Sequence, residues 1–367
     1  MIRVLHLISG LRVGGAEVLL LEILRRVDRS RFDVRVASLL GPGEMGPRFT
    51  DAGIEVIDLS NAGRFSWRCA TRLRRHLRGR PCDVLHGHLL HATLVARWLR
   101  KRRAVQSLVT TQHFPPLERG RGFAGRLHRW TAKWDDRVIA VSTSVGEELT
   151  RGLGVDPVKI RIIENGVDLA RFHPGVEPLP RTHFNLSDEH RIIGVTASLT
   201  PKKGIDILLR AAPGVLRREP RARLLIAGEG PERERLESLI SELGLRDHVQ
   251  LVGNIADVER LLPMLDLLCL PSRREPFGLS VAEAMASGCV VVHTAVGGLA
   301  SLSEDGVSAL QVPPDDPDAL AEAILRALGD HELAGRLRAG AARRARERFD
   351  IAQTVEKTMA VWEEMVS

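Results

Sequence analysis

Leu267-Leu268-Cys269-Leu270-Pro271-Ser272-Arg273-Arg274-Glu275-Pro276-Phe277-Gly278-Leu279-Ser280-Val281-Ala282-Glu283-Ala284 starts as a short apolar run, breaks at a turn and resumes with a helical pattern. The run Leu267–Leu270 reads as a buried strand, and Pro276 suits the first turn of a helix. Gly278 lets a ligand come close to the backbone. The amides from Phe277 through Leu279 to Ser280 lack helical acceptors, and together with the helix dipole they favour a phosphate. Glu275 stays in the loop beside that phosphate end. Glu283, about one turn into the helix, can accept two hydroxyl protons from a ribose. Two acids at this spacing reach both ends of one nucleotide sugar. Two solvated glutamates flanking an ordinary helix start fit the same pattern, because acids favour first turns anyway.

Outward from this stretch, the same strand–turn–helix grammar repeats. Apolar runs at Val4–Ile8, Val34–Leu39, Ile54–Leu59, Val84–His86, Ser107–Thr111, Arg137–Val141 and Arg161–Ile163 alternate with helical patterns such as Ala16–Val27 and His91–Arg102. A second series follows at Ile192–Ala197, Arg223–Ala227, Val249–Val252, Leu267–Leu270, Val290–His293 and Ala309–Val312. Such alternation implies an α/β chain with parallel sheets covered on both faces. The expected organisation is two Rossmann-like, doubly wound domains facing across a cleft. Residues 1–173 form the first domain, 174–189 a proline-rich linker and 190–348 the second, with a last helical segment in 349–367. Ligands of such sheets bind beyond the carboxyl ends of the strands, where every motif below falls.

The chain has 367 residues, 44% of them apolar but only 4% aromatic, with no tyrosine, so its cores are aliphatic. Lysine occurs six times against 47 arginines, which singles out each lysine. Four cysteines without C-x-x-C spacing argue against a structural zinc site. The N-terminal run is too short for a signal peptide, and no apolar run spans a bilayer. Residues 1–173 carry 30 Lys+Arg against 17 Asp+Glu, a net of +13, whereas residues 174–367 carry a net of −6. That asymmetry bears on partners, not on fold.

Three further patterns can carry chemistry. In Thr200-Pro201-Lys202-Lys203-Gly204, after a strand, a lysine can reach a diphosphate as a mobile point charge and stabilise a leaving group. A solvated helix-entry pair is the plainer reading. Gly14-Gly15 opens the first helix, where backbone can approach a phosphate or hydroxyl. Its spacing is not G-x-G-x-x-G, which makes a dinucleotide site the weaker reading, and a tight strand–helix turn the plain one. His86 and His88 lie in Asp83-Val84-Leu85-His86-Gly87-His88, and His113 ends Thr110-Thr111-Gln112-His113. The first pair could hint at a metal, but no third ligand of matching spacing is evident in the sequence.

In order along the chain, these pieces resemble the retaining glycosyltransferases of family 4, which have the GT-B fold. Glu275 to Glu283 looks like the family's E-x7-E signature. Gly14-Gly15-Ala16-Glu17 resembles its glycine loop, Asn165-Gly166-Val167-Asp168 with Phe172 and Pro174 its N-G-V-D-x-x-x-F-x-P segment, and Gly228-Glu229-Gly230-Pro231 its G-x-G-P turn. Gly288 through Gly298 resembles its double-glycine stretch. The resemblance spans about residues 3 to 350; it implies that residues 1–173 are the acceptor-side domain and 190–348 the nucleotide-sugar-binding domain, and that the last helix, in 349–367, packs back on the first domain.

It implies transfer of a hexosyl-type sugar, with retention, from a UDP-, GDP- or ADP-sugar to a glycan or lipid-linked acceptor, without a bound metal or other cofactor. His113, Lys203 and Glu275 would be catalytic. Gly15, Ser198, Lys203, Phe277, Gly278, Leu279 and Glu283 would hold the donor. Ser198 stands where the family's R-x-x-x-x-K pattern, ending at Lys203, has arginine, and Arg273 or Arg274 could supply the missing charge. A nucleotide-sugar epimerase on the same scaffold, or a transferase-like binding subunit weakened by Ser198, are the rivals.

Arginines crowd three segments of the first half: Arg72 to Arg80, Arg97 to Arg103, and Arg119, Arg121, Arg126 and Arg129 around Phe123, Leu127 and Trp130. Solvated helix faces explain them plainly. An anionic membrane surface would bind the same face, giving a cytoplasmic protein peripheral to the inner face of the plasma membrane. No recognition helix, zinc finger or aromatic platform points to nucleic acid.

Overall fold

The computed structural model describes residues 1–12, 14–60, 68–113 and 123–367. Its contacts divide the chain into two compact units, Met1–Gly166 with Ile351–Ser367, and Val167–Asp350. In the first unit, β1 (Ile2–Ile8), β2 (Phe32–Ser38), β3 (Glu55–Asp58), β4 (Val84–His88), β5 (Ser107–Gln112), β6 (Arg137–Ala140) and β7 (Ile160–Ile162) form one parallel sheet in the order β3-β2-β1-β4-β5-β6-β7. In the second, β8 (Arg191–Thr196), β9 (Ala222–Ala227), β10 (Val249–Gly253), β11 (Leu267–Leu270), β12 (Val290–Thr294) and β13 (Leu310–Val312) form another, in the order β10-β9-β8-β11-β12-β13. Both are doubly wound, as the alternation requires, and each reverses direction once. The switch points fall between β1 and β4 and between β8 and β11, where open α/β sheets take their ligands.

Each face is sealed by an aliphatic stripe. In the first unit, Leu19, Leu20 and Leu24 of the helix Gly15–Arg25 and Val355, Val361 and Trp362 of the helix Ile351–Glu364 pack with Val4, Val34, Val36 and Val84. Leu73 and Leu77 of Arg68–Gly79 and Val95 and Leu99 of Leu90–Lys101 pack with Leu5, Leu7 and Leu85 on the other face. In the second unit, the helices Ile205–Arg218 and Pro317–Gly329 share one core with Val195, Ile226, Cys269 and Val292. All four cysteines are buried free thiols, and burial pushes Cys82 and Cys289 up to about 12.

Three details differ from the sequence reading. Residues 174–189, read as a linker, lie inside the second unit: the Leu179 amide donates to the Arg260 carbonyl at 2.9 Å, and Phe184 is buried. Proline fixes local extension without making a segment free. The helix after Glu275 runs Leu279–Ala286, with Gly278 as its N-cap at φ +101°. A helix cannot run back through that left-handed residue, so Pro276 belongs to the preceding loop. Arg97, placed on a basic face, is fully buried and paired with Asp135, because its helix turns that position into the core.

The last helix is fastened within the first unit. Trp362 is fully buried edge-on to Phe32, with ring centroids 5.5 Å apart. Glu364 pairs with Arg137 at 2.5 Å and Arg161 at 2.7 Å. Thr354 Oγ1 donates to the Glu164 carbonyl at 2.9 Å. A Cβ on Gly166 would lie 2.4 Å from Ile351 Cα, so only glycine admits this approach.

Candidate functional site

In the second unit, four loops converge beyond the carboxyl ends of β8, β9, β11 and β12. Glycines set their spacing. A Cβ on Gly204 would meet the Pro271 carbonyl oxygen at 2.0 Å, and one on Gly228 the Ala197 oxygen at 1.9 Å. Gly298 packs so closely that its Cβ would be 2.1 Å from the Pro276 oxygen, and its amide donates to the Glu275 carbonyl at 2.8 Å. The double glycine at 297–298 therefore buttresses the backbone that carries Glu275.

Lys203 Nζ donates to Glu275 Oε2 at 2.5 Å, and Ser272 Oγ lies 3.4 Å from the same oxygen. Glu275 is 9% exposed. Arg273, offered as a replacement cation, is committed elsewhere. It donates to Asp206 at 2.7 and 2.9 Å, to Asp315 at 2.5 Å and to the Pro201 carbonyl at 2.9 Å. Those bonds raise its own pKa and hold Asp206 below the usual carboxylate range. Arg273 thus clamps the lysine turn rather than offering a loose charge. Arg274 is exposed, as is Ser198 on the loop after β8.

Gly278 caps the helix Leu279–Ala286, whose first amides, beginning at Leu279, have no acceptor within the helix. Phe277 is buried edge-on to Phe349, which anchors the loop just before that start. Glu283 lies one turn in and is partly buried. Burial pushes its carboxyl up to about 7; Glu259 adds to the rise and Arg171, paired with Glu259 at 2.7 Å, opposes it.

In the first unit, His6, His86 and His88 share one sheet face at the β1–β4 switch point. His113 follows β5 and is partly buried. Burial pulls His113 down to about 4 and the other three well below the usual histidine range. Gly15, exposed, opens the first helix, and among the described residues no atom lies within 4 Å of where its Cβ would be.

The family described as Glycosyltransferase Family 4 matches residues 13–171, and that described as Glycosyl transferases group 1 matches residues 180–344. The D-inositol 3-phosphate glycosyltransferase of Geodermatophilus obscurus is 30% identical over 95% of this chain and 84% of that protein. The chain is a family 4 glycosyltransferase of the GT-B fold. An uncharacterized glycosyltransferase of Methanocaldococcus jannaschii, MJ1607, is 36% identical to the transferase over 53% of this chain and 51% of that protein. The crystal structure of Anabaena Alr3699/HepE in complex with UDP-glucose shares its fold, with a TM-score of 0.87 at 22% identity over 99% of this chain and 100% of that one.

Sequence reasoning passed over several residues that the fold of the transferase brings near these groups. His6 sits in an apolar strand and looked like core; its registry with His86 was invisible before the strand order was known. Arg171 and Glu259 lie far apart in sequence yet both act on Glu283. Of the basic segments, Arg119 and Arg121 lie outside the described residues, as does the side chain of Phe123. Trp130 is 54% exposed and stacks edge-on with Trp134, with Lys101 and Lys133 within 5.3 Å of both ring centres. Among the described residues, no helix is long and apolar enough to cross a membrane.

Proposed function

We propose that the transferase moves a hexosyl residue, with retention, from a nucleotide sugar to a glycan or lipid-linked acceptor, without a bound metal. The convergence of Lys203, Glu275 and the free amides of the helix Leu279–Ala286 at the β8–β11 switch point carries this reading. A diphosphate suits that helix start, a ribose suits Glu283, and Lys203 is a mobile cation that can move from Glu275 to the phosphates. His113 hydrogen-bonds a sugar hydroxyl. In the transfer, the bond from the anomeric carbon to the phosphate oxygen breaks while the acceptor oxygen bonds on the same face. The acceptor proton passes to the departing phosphate. Lys203 and the helix amides stabilise the charge that develops there.

UDP-glucose is the first donor to test, because the Anabaena protein of the same fold is held in complex with it. The experiment is a thermal-shift and product-release panel with UDP-, GDP- and ADP-sugars. Stabilisation by one nucleotide series, with slow release of free nucleotide, supports the transferase. Interconversion of the donor sugar supports an epimerase, and binding without turnover a binding subunit.

Two readings of the acceptor side have their own observations. Relatives named D-inositol 3-phosphate glycosyltransferases make a phosphorylated cyclitol a candidate acceptor, which the basic N-terminal half would favour. The exposed Trp130 among Lys101 and Lys133 suits the interface of an anionic membrane. Flotation with anionic vesicles, reversed by salt, tests the membrane reading; absence of binding at low salt ends it.

A further inference from the structure

Four imidazoles and an indole meet in the first unit. His6 Nδ1 lies 3.0 Å from His88 Nε2, and His88 Nδ1 lies 3.5 Å from His113 Nε2. His86 stands beside this chain but belongs to another: Trp362 Nε1 donates to His86 Nδ1 at 3.1 Å, and His86 Nε2 lies 2.7 Å from Thr111 Oγ1. Among the described residues, His6 Nε2 is buried without a hydrogen-bond partner, and the adjoining cavity of about 30 Å³ is lined by Leu19, Leu20 and Ile23 together with Asn165, Thr354 and Thr358.

One ring nitrogen from each of His6, His86 and His88 lies within 4.8 Å of the other two, as a metal site would require. Two observations favour a different role. An indole N–H can only donate, so His86 Nδ1 accepts and its proton sits on Nε2, facing Thr111. Both of its nitrogens are then engaged. Among the described residues, no carboxylate or thiolate joins the three neutral rings to offset a divalent charge.

The remaining chain has a direction. Burial keeps each ring neutral, so each carries one proton. If the protons point inward, His113 donates to His88, His88 donates to His6, and His6 Nε2–H is left buried without an acceptor. If they point outward, His6 donates from Nδ1 to His88, His88 donates from Nδ1 to His113 Nε2, and the unsatisfied atom is only a lone pair. A buried donor with no acceptor is the rarer and costlier defect.

We infer that His6 and His88 are positioning residues, forming a one-way hydrogen-bond wire that holds His113 as its Nδ1–H tautomer, so that it meets a substrate sugar as a hydrogen-bond donor. The inference rests on the proposed role of His113. A free imidazole side chain prefers the Nε2–H tautomer, so the wire imposes the less common form. The Nδ1–H suits a sugar hydroxyl oxygen that is itself donating elsewhere.

The test is long-range proton–nitrogen NMR of the full chain labelled with 15N-histidine near pH 7.5, with His113 assigned through His113→Gln. The expected result is a protonated-type nitrogen at Nδ1 and a bare one at Nε2. His6→Leu should shift His113 towards the Nε2–H form and lower kcat about 5- to 50-fold, with the donor KM within about threefold. His6→Asn, which restores an amide N–H near the Nδ1 position, should recover most of the rate. A wild-type His113 in the Nε2–H form overturns the inference, and that measurement stands even if His6→Leu fails to fold. Stoichiometric Zn²⁺ binding that disappears in His6→Leu overturns it in favour of a metal site. Full activity in His113→Gln, with the tautomer as expected, would remove the role of His113 and leave the wire intact.

Discussion

Lys203 Nζ lies 2.5 Å from Glu275 Oε2, which joins the lysine turn after β8 to the acidic loop after β11. Both side chains are largely buried, 15% and 9% exposed. Lys203→Ala leaves Glu275 without its cation, so it should destabilise the chain by about 1–3 kcal/mol in urea unfolding. It should also lower kcat/KM by about 10²–10³, the scale for losing one charge stabiliser at a leaving group. Lys203→Arg should not restore the rate, because a planar fork cannot replace a compact ammonium. A rate within twofold of wild type in Lys203→Ala would exclude the leaving-group role.

Glu283 gives the transferase a pH signature. Its carboxyl titrates near 7 in the folded chain, against an ordinary value of 4.5. The folded state therefore holds an extra proton between those values. The unfolding free energy should fall as pH rises from about 4.5 to 7, by an amount on the order of 2–3 kcal/mol. Donor binding has the opposite trend if the carboxylate accepts ribose hydroxyls: affinity should rise up to about tenfold per pH unit towards 7 and then level off. Glu283→Gln should flatten both profiles and weaken the donor at pH 8. Calorimetric titration with a nucleotide between pH 5.5 and 8.5 measures this, and equal slopes in both proteins would remove Glu283 from the donor site.

Gly298 and Gly329 offer a matched pair. A Cβ at Gly298 would press on the Pro276 oxygen at 2.1 Å, whereas at Gly329 nothing among the described residues lies within 4 Å. Gly298→Ala should cost about 1–3 kcal/mol and lower donor affinity by displacing the Glu275 backbone. Gly329→Ala, inside the helix Pro317–Gly329, should be neutral or stabilising by up to about 1 kcal/mol. Unfolding curves and nucleotide titrations on both variants separate the two effects.

Ser198 is exposed on the loop after β8, and Arg273 is occupied by Asp206 and Asp315. Ser198→Arg should then tighten the donor by about 10- to 100-fold, the worth of one charge-assisted hydrogen bond. A neutral or weaker result would mean that the diphosphate is neutralised by another cation.

Arg97 and Asp135 are both fully buried, joined at 2.5 Å, with Arg97 also donating to the His128 carbonyl and Thr131. Burial tends to raise the Asp135 carboxyl and Arg97 opposes it. Arg97→Met should cost about 3–5 kcal/mol because it strands a buried carboxylate, while Arg97→Met with Asp135→Asn should recover part of that loss. Nucleotide affinity, measured well below the melting point, should be unchanged.

By itself the sequence determined the two parallel sheets, the positions of Lys203, Glu275 and His113 beyond strand ends and of Glu283 in the helix that follows, and the family. These rest on local signals, since strand and helix periods and glycine turns are written in consecutive residues. Only the tertiary structure decided the rest. Strand order set His6 beside His86 and aimed His88 towards His113. Helix packing turned Arg97 inward and drew Trp362 onto His86. Close backbone approach gave Gly298 its place against Pro276, and the contacts of Leu179 and Phe184 fixed a proline-rich stretch that reads as free. Such contacts join residues far apart in the chain, and which strands become neighbours is settled by how whole sheets bury their faces, not by any short stretch of residues.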